Sequence, residues 1–237
     1  MVEIIPAILE KNYEDIVKKV QIISEASPWV QVDVADGIFA PNKTWPFIKT
    51  NDPDLEALIH EQKSLPEWES VSYEFDLMVS NPRAVADTFV TAGASRIAVH
   101  YGAFESDHER EVFLKDFKKK YNLPEPLSVK LGLAINIDKP VNLIVRYIVL
   151  LDFVQLMGID HIGGQGEKFN EKTYERVAEL RKLAPDLTIS VDGGVKKEHL
   201  AGLVEAGVNR IIAGSAIWGS NNPAEEYEGL CDKIDGK

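Results

Sequence analysis

Two stretches, Val30-Gln31-Val32-Asp33-Val34-Ala35-Asp36-Gly37 and Ile189-Ser190-Val191-Asp192-Gly193-Gly194, each carry an aspartate at the end of an apolar run with glycine close behind. A parallel strand buries everything except its last residues, so a carboxylate placed there is aimed at whatever binds beyond the sheet. Outward from these two runs, the chain alternates short β-branched segments with longer helical patterns. Strands are expected at Glu3 to Ile8, Val30 to Val34, Ser72 to Met78, Arg96 to His100, Val129 to Ile135, Phe153 to Ile159, Thr188 to Asp192 and Arg210 to Ala213. Helical patterns are clearest at Tyr13 to Ala26, Pro82 to Ala92, Asp107 to Tyr121, Val141 to Val149, Glu171 to Leu183 and Lys197 to Ala206. Eight such pairs in 237 residues fit an α/β fold of the closed (β/α)8 barrel type. Glycine after alanine, in Ala92-Gly93 and Ala206-Gly207, marks left-handed helix ends. No Pro/Ser-rich linker or low-complexity stretch divides the chain, so residues 1–237 read as one domain. A doubly wound sheet would need a Gly-x-Gly-x-x-Gly turn after its first strand, where Pro6-Ala7-Ile8-Leu9 stands instead.

Composition limits the function. With 45% hydrophobic and 27% charged residues the chain is ordinary for a globular protein, and no apolar run approaches the ~20 residues that span a bilayer. The net charge of -12 argues against nucleic acid or an anionic membrane as a partner. A single cysteine, Cys231, and an N-terminus without a basic-then-apolar segment lead to the expectation of a cytoplasmic protein.

In a barrel of this kind the working face lies at the C-terminal ends of the strands. The period of two puts Gln31 on the same side as Asp33, and Glu74 on the same side as Asp76. If these face the interior with Asp192, several carboxylates converge on a small volume, which requires a bound cation or a proton on one of them. A second constellation is glycine: Gly163-Gly164-Gln165 after the sixth strand, Gly193-Gly194 after the seventh, and Gly214-Ser215 after the eighth. Backbone N–H groups in such loops cradle phosphate without any lysine or arginine, and the late loops are where this fold commonly holds it. His161 lies in the loop expected to cover the ligand and is a further binding candidate, whereas His60, His108 and His199 read as surface residues. Trp45, Trp68 and Trp218 are candidates for the pocket rim, and the long stretch from Phe39 to Glu69 for a lid or partner surface.

Taken in order, Ile5-Pro6-Ala7-Ile8-Leu9, the run Val32 to Asn42, Asp76-Leu77-Met78-Val79-Ser80-Asn81-Pro82, Val99-His100, Gly132-Leu133-Ala134-Ile135-Asn136, Gly163-Gly164-Gln165, Val191-Asp192-Gly193-Gly194 and Ala213-Gly214-Ser215-Ala216 resemble the segments of ribulose-phosphate 3-epimerases. The resemblance implies a ribulose-phosphate-binding barrel acting on a pentulose 5-phosphate, with D-ribulose 5-phosphate and D-xylulose 5-phosphate interconverted at C3. It implies proton transfer by two aspartates, which Asp33 and Asp192 match, and a divalent metal that steadies the enediolate. His100 matches a histidine of that family. The chain departs where the family has histidine (Gln31 and Asp76) and serine (Ala7), and its loop at Asp160-His161-Ile162 is shorter. The metal set then becomes Gln31, Asp33, Asp76 and Asp192, all oxygen donors, which favours magnesium or manganese over zinc. No organic cofactor is implied.

Three readings follow from the resemblance. In one, Asp33 removes the C3 proton and Asp192 returns one to the other face, with a metal polarising the oxygens. In another, no metal binds and a protonated Asp76 donates to the enediolate. In the third, the barrel binds a phosphorylated ligand without turnover or runs a different sugar-phosphate reaction. A decarboxylase of the Asp-x-Lys-x-x-Asp kind is disfavoured, because Ala35 stands where that lysine would be. A small-molecule sugar phosphate is the expected partner, with self-association into a homo-oligomer left open.

Overall fold

The computed structural model describes residues 2–236. Eight parallel strands, β1 (Glu3–Ile8), β2 (Trp29–Ala35), β3 (Ser72–Met78), β4 (Arg96–His100), β5 (Lys130–Ile135), β6 (Phe153–Met157), β7 (Thr188–Asp192) and β8 (Arg210–Ala213), close into a barrel. Each strand pairs with the next in sequence, and β8 returns to β1 through Ile5↔Ile212 and its neighbours. The strand expectations hold nearly residue for residue. β6 alone is clearly shorter, ending at Met157: the Gly158 N–H makes the last ladder bond, to the Asp192 carbonyl at 2.6 Å, and the Gly158 carbonyl accepts from the Asn170 N–H at 2.8 Å, outside the sheet.

Helices pack around the outside. They are α1 (Tyr13–Ile23), α2 (Pro53–Ile59), α3 (Pro82–Thr91), α4 (Asp107–Tyr121), α5 (Lys172–Leu183), α6 (Leu200–Ala206), α7 (Ser215–Trp218) and α8 (Pro223–Asp235). Side chains of Asn12, Asp52, Asn81, Ser106 and Asn222 accept from first-turn N–H groups and fix where α1, α2, α3, α4 and α8 begin. α6 ends at Gly207 with φ of 98°, the left-handed cap expected from its sequence. The outward residues of the strands, such as Val32, Phe75, Val99, Leu133 and Ile189, join the buried faces of these helices in one apolar core. Each such fully buried side chain contributes roughly 1.5–3 kcal/mol.

Two expectations about local structure change. Val141–Leu150 is a 3-10 helix, with Val141, Ile144 and Tyr147 buried at a spacing of three. A three-residue turn stacks those side chains on one line, and its β-branched neighbours gain little from an α-helix. Trp45 is not on a rim. It is 1% exposed, donates to Asp52 Oδ1 at 2.9 Å and packs edge-on against Phe89, which pins the long β2–β3 connection into the core.

Candidate active site

Alternation along the strands sends a set of polar side chains into the barrel, where they form two layers. In the lower layer Arg210 donates to Glu74 Oε2 at 2.7 Å and Arg96 stands 3.8 Å from the same oxygen. Their guanidinium groups lie over Phe153 and Trp29, at 4.1 and 3.5 Å from the ring centroids. Burial raises the Glu74 pKa, with Arg210 and Arg96 pulling the other way.

The upper layer has no such cations. Asp33, Asp76 and Asp192, all buried, each bring an oxygen within 4.8 Å of the other two. At that separation two carboxylates repel by about 3.5 kcal/mol at an effective dielectric of about 20, so three ionised groups would cost about 10 kcal/mol together. That rivals the stability of a whole domain. Two amides hold the cluster. Gln31 Nε2 donates to Asp33 Oδ1 at 2.8 Å and to Asp192 Oδ2 at 2.9 Å, and Gln155 Nε2 donates to Asp76 Oδ2 at 3.1 Å and to Asp192 Oδ2 at 3.3 Å. His100 Nε2 lies 2.9 Å from Asp76 Oδ1, with Phe39 packed on its ring. Amide dipoles soften the repulsion without cancelling it. The Asp33 pKa is raised well above the carboxylate range by burial first, then by Asp192 and Asp76. That of Asp192 is pushed up to about 8, by burial and then by Asp76.

Above this layer, Asp33 and Asp192 line one cleft together with Gly163, Gly164, Gln165, Gly193, Gly194, Gly214 and Ser215. Gly193 and Gly194 have φ of 107° and 68°, and a Cβ on Gly194 would lie 2.6 Å from the Phe169 backbone nitrogen. Only glycine lets the chain turn here, at the edge of the cleft. Gln165 reaches across to the Ala7 carbonyl at 3.2 Å, which also accepts from Trp218 Nε1 at 2.6 Å. At the mouth, Asn42 donates to the Gly163 carbonyl at 2.8 Å, so the loops after β2 and β6 meet over the opening.

Of the residues expected from sequence, Gln31, Asp33, Asp76 and Asp192 come together, and so do the three glycine loops. His161 does not join them: its side chain is 81% exposed and faces Glu167 at 3.8 Å, because the loop carries it outward before Gly163 returns to the cleft. His199 is half-buried rather than on the surface, stacked on Phe169 with ring centroids 4.2 Å apart. Gln155 was not singled out by the sequence reading. Its signal is one polar residue inside the apolar run Phe153-Val154-Gln155-Leu156-Met157.

The donor set suits a hard divalent cation. It offers three mutually close carboxylates, and the buried Gln31 Oε1 has no hydrogen-bond partner among the described residues. The triad of buried aspartates could hold such an ion, without a nitrogen or sulfur donor to recruit zinc.

The model of the ribulose-phosphate 3 epimerase family matches residues 3–218. Among curated relatives, the ribulose-phosphate 3-epimerase of Schizosaccharomyces pombe is 29% identical over 98% of this chain and 93% of its own length. That of Bacillus subtilis is 28% identical over 94% of each. Among solved structures, KGPDC from Streptococcus mutans superposes with a TM-score of 0.70 over all of this chain and 98% of its own, at 13% identity, which speaks for the fold alone. The chain belongs to the ribulose-phosphate 3 epimerase family, an enzyme family of the isomerase class.

Proposed function

We propose that this member of the family interconverts D-ribulose 5-phosphate and D-xylulose 5-phosphate by two-aspartate proton transfer at C3. The observation that carries the reading is the shared cleft, in which Asp33 and Asp192 stand beneath three glycine loops suited to a phosphate. Asp33 removes the proton next to the carbonyl and Asp192 delivers one to the opposite face; in the reverse direction the roles exchange. Their raised pKa values support this, because a close buried pair that shares one proton offers a base and an acid at neutral pH. Gln31 ties down Asp33 Oδ1 and Asp192 Oδ2, which orients the remaining oxygens for transfer. The backbone of Gly193, Gly194 and Gly214 binds the phosphate, and Gln165 closes over it. Asp33, Asp76, Asp192 and Gln31 would hold a divalent cation, magnesium or manganese before zinc, which would supply charge stabilisation to the enediolate oxygens.

The test is isotope uptake. Ribulose 5-phosphate incubated with the protein in deuterated water is expected to gain deuterium at C3. Absence of uptake by folded protein, with magnesium, manganese or zinc and with chelator, would leave a phosphate-binding barrel without epimerase turnover. Uptake that persists undiminished in chelator would remove the cation from the reading.

A further inference from the structure

Gln155 sits on β6, beside β7 with Asp192 and across the barrel from β3 with Asp76, and touches both aspartates. Its Nε2 lies 3.1 Å from Asp76 Oδ2 and 3.3 Å from Asp192 Oδ2, while its Oε1 is buried with no hydrogen-bond partner among the described residues. Gln31 repeats the pattern between Asp33 and Asp192. The last torsion of a glutamine is soft and roughly two-fold, and turning it over exchanges oxygen for nitrogen at nearly the same places. Nitrogen toward the carboxylates is the favourable orientation when they face one another alone. Oxygen toward them is repulsive, except around a cation that all of them share.

We infer that Gln155 is an additional oxygen ligand of the divalent-cation site, whose amide turns over when the ion binds. The inference rests on the proposed cation role of Asp33, Asp76 and Asp192. The same side chain then serves both states of the site: an N–H donor bridging the carboxylates without the ion, and an oxygen donor with it. Five protein oxygens from five side chains would favour an oxygen-seeking ion that accepts six or more ligands.

Titration with Mn2+, followed by calorimetry and by the loss of the free-ion electron paramagnetic resonance signal, tests this directly. Gln155→Leu is expected to weaken Mn2+ binding about 10–100-fold. Gln155→Glu keeps an oxygen but has no N–H, and is expected to bind at least as tightly as the wild type. Unchanged binding by Gln155→Leu overturns the inference. So does a Gln155→Glu variant as weak as Gln155→Leu, which would make the amide an N–H donor only. Should neither variant fold, wild-type protein with 15N-labelled glutamine decides. On titration with Mg2+ the Gln155 side-chain signals are expected to move to saturation with those of Gln31, while the exposed Gln21 and Gln62 stay in place; an unmoved Gln155 overturns it. Wild type that binds neither ion fails the cation reading and this inference together. Binding without deuterium uptake at C3 fails the proposed epimerase chemistry and leaves the Gln155 assignment standing.

Discussion

The two layers of the barrel interior bury the same chemical group in opposite ways. Below, the Glu74 carboxylate is met by Arg210 at 2.7 Å and by Arg96 at 3.8 Å, with both guanidinium groups seated on aromatic rings. Above, Asp33, Asp76 and Asp192 crowd together with two neutral amides and His100 for company. A carboxylate matched by arginines is spent on structure. One left short of positive charge keeps its affinity for a proton or an ion, and in the upper layer Asp33 and Asp192 line a cleft edged by glycine loops.

That contrast can be broken at either end. Asp33→Asn or Asp192→Asn is expected to lower turnover of ribulose 5-phosphate about 10²–10⁴-fold. The same changes should raise the melting temperature measured in chelator, since each removes a charge from a repelling group; full turnover in either variant would contradict the two-base assignment. Below, Glu74→Gln is expected to cost about 3–5 kcal/mol in urea unfolding, because it strands the buried Arg210 guanidinium, while Arg96 keeps Glu3 at 3.5 Å. Turnover per folded molecule should stay near that of the wild type. A stabilising Glu74→Gln would erase the distinction between the layers.

The pH dependence sharpens it further. The folded pKa of Asp192 is raised above its unfolded value, so from the ordinary carboxylate range near 4 up to about 8 the folded protein holds a proton that the unfolded chain has released. Stability in chelator is therefore highest at the acid end of that window and falls as pH rises through it. Asp192→Asn, or a saturating divalent cation, should flatten the slope in thermal melts across this range. The smallest effect is expected at His161, whose exposed side chain faces Glu167. His161→Ala should change kcat and KM by no more than about twofold, the scale of ordinary surface substitutions.

Much of the barrel is legible in the chain because inward and outward positions alternate, and the outward ones are large and apolar: β-branched, aromatic or leucine. Gln31 and Asp33 announce themselves as polar interruptions in Val30-Gln31-Val32-Asp33-Val34. Gln155 is the same kind of interruption, but a lone amide in a strand carries no chemistry until its neighbours on β7 and across the barrel on β3 are known. Trp45 looks like a rim residue because it lies among turn formers in a long connection; its burial depends on Asp52 and Phe89, the latter more than forty positions away. His161 misleads for the opposite reason. Being in the right loop says nothing about which side of that loop a side chain takes. The spacing of three in Val141, Ile144 and Tyr147 is present in the sequence, but a decade of residues rich in valine and isoleucine fits a helical period equally well.

The meeting of Asn42 with Gly163 fastens the loops after β2 and β6 to each other. The contact joins two loops by one side-chain hydrogen bond, worth roughly 1 kcal/mol, and a Cβ on Gly163 would lie 2.6 Å from the Ala40 methyl. Such a latch is cheap to lift and intolerant of padding. Thermal motion alone can unfasten it, and any side chain at Gly163 would wedge it ajar. The barrel's own hydrogen bonds are individually no stronger, but each is held in a ladder of neighbours, whereas this one joins two loops by a single side chain.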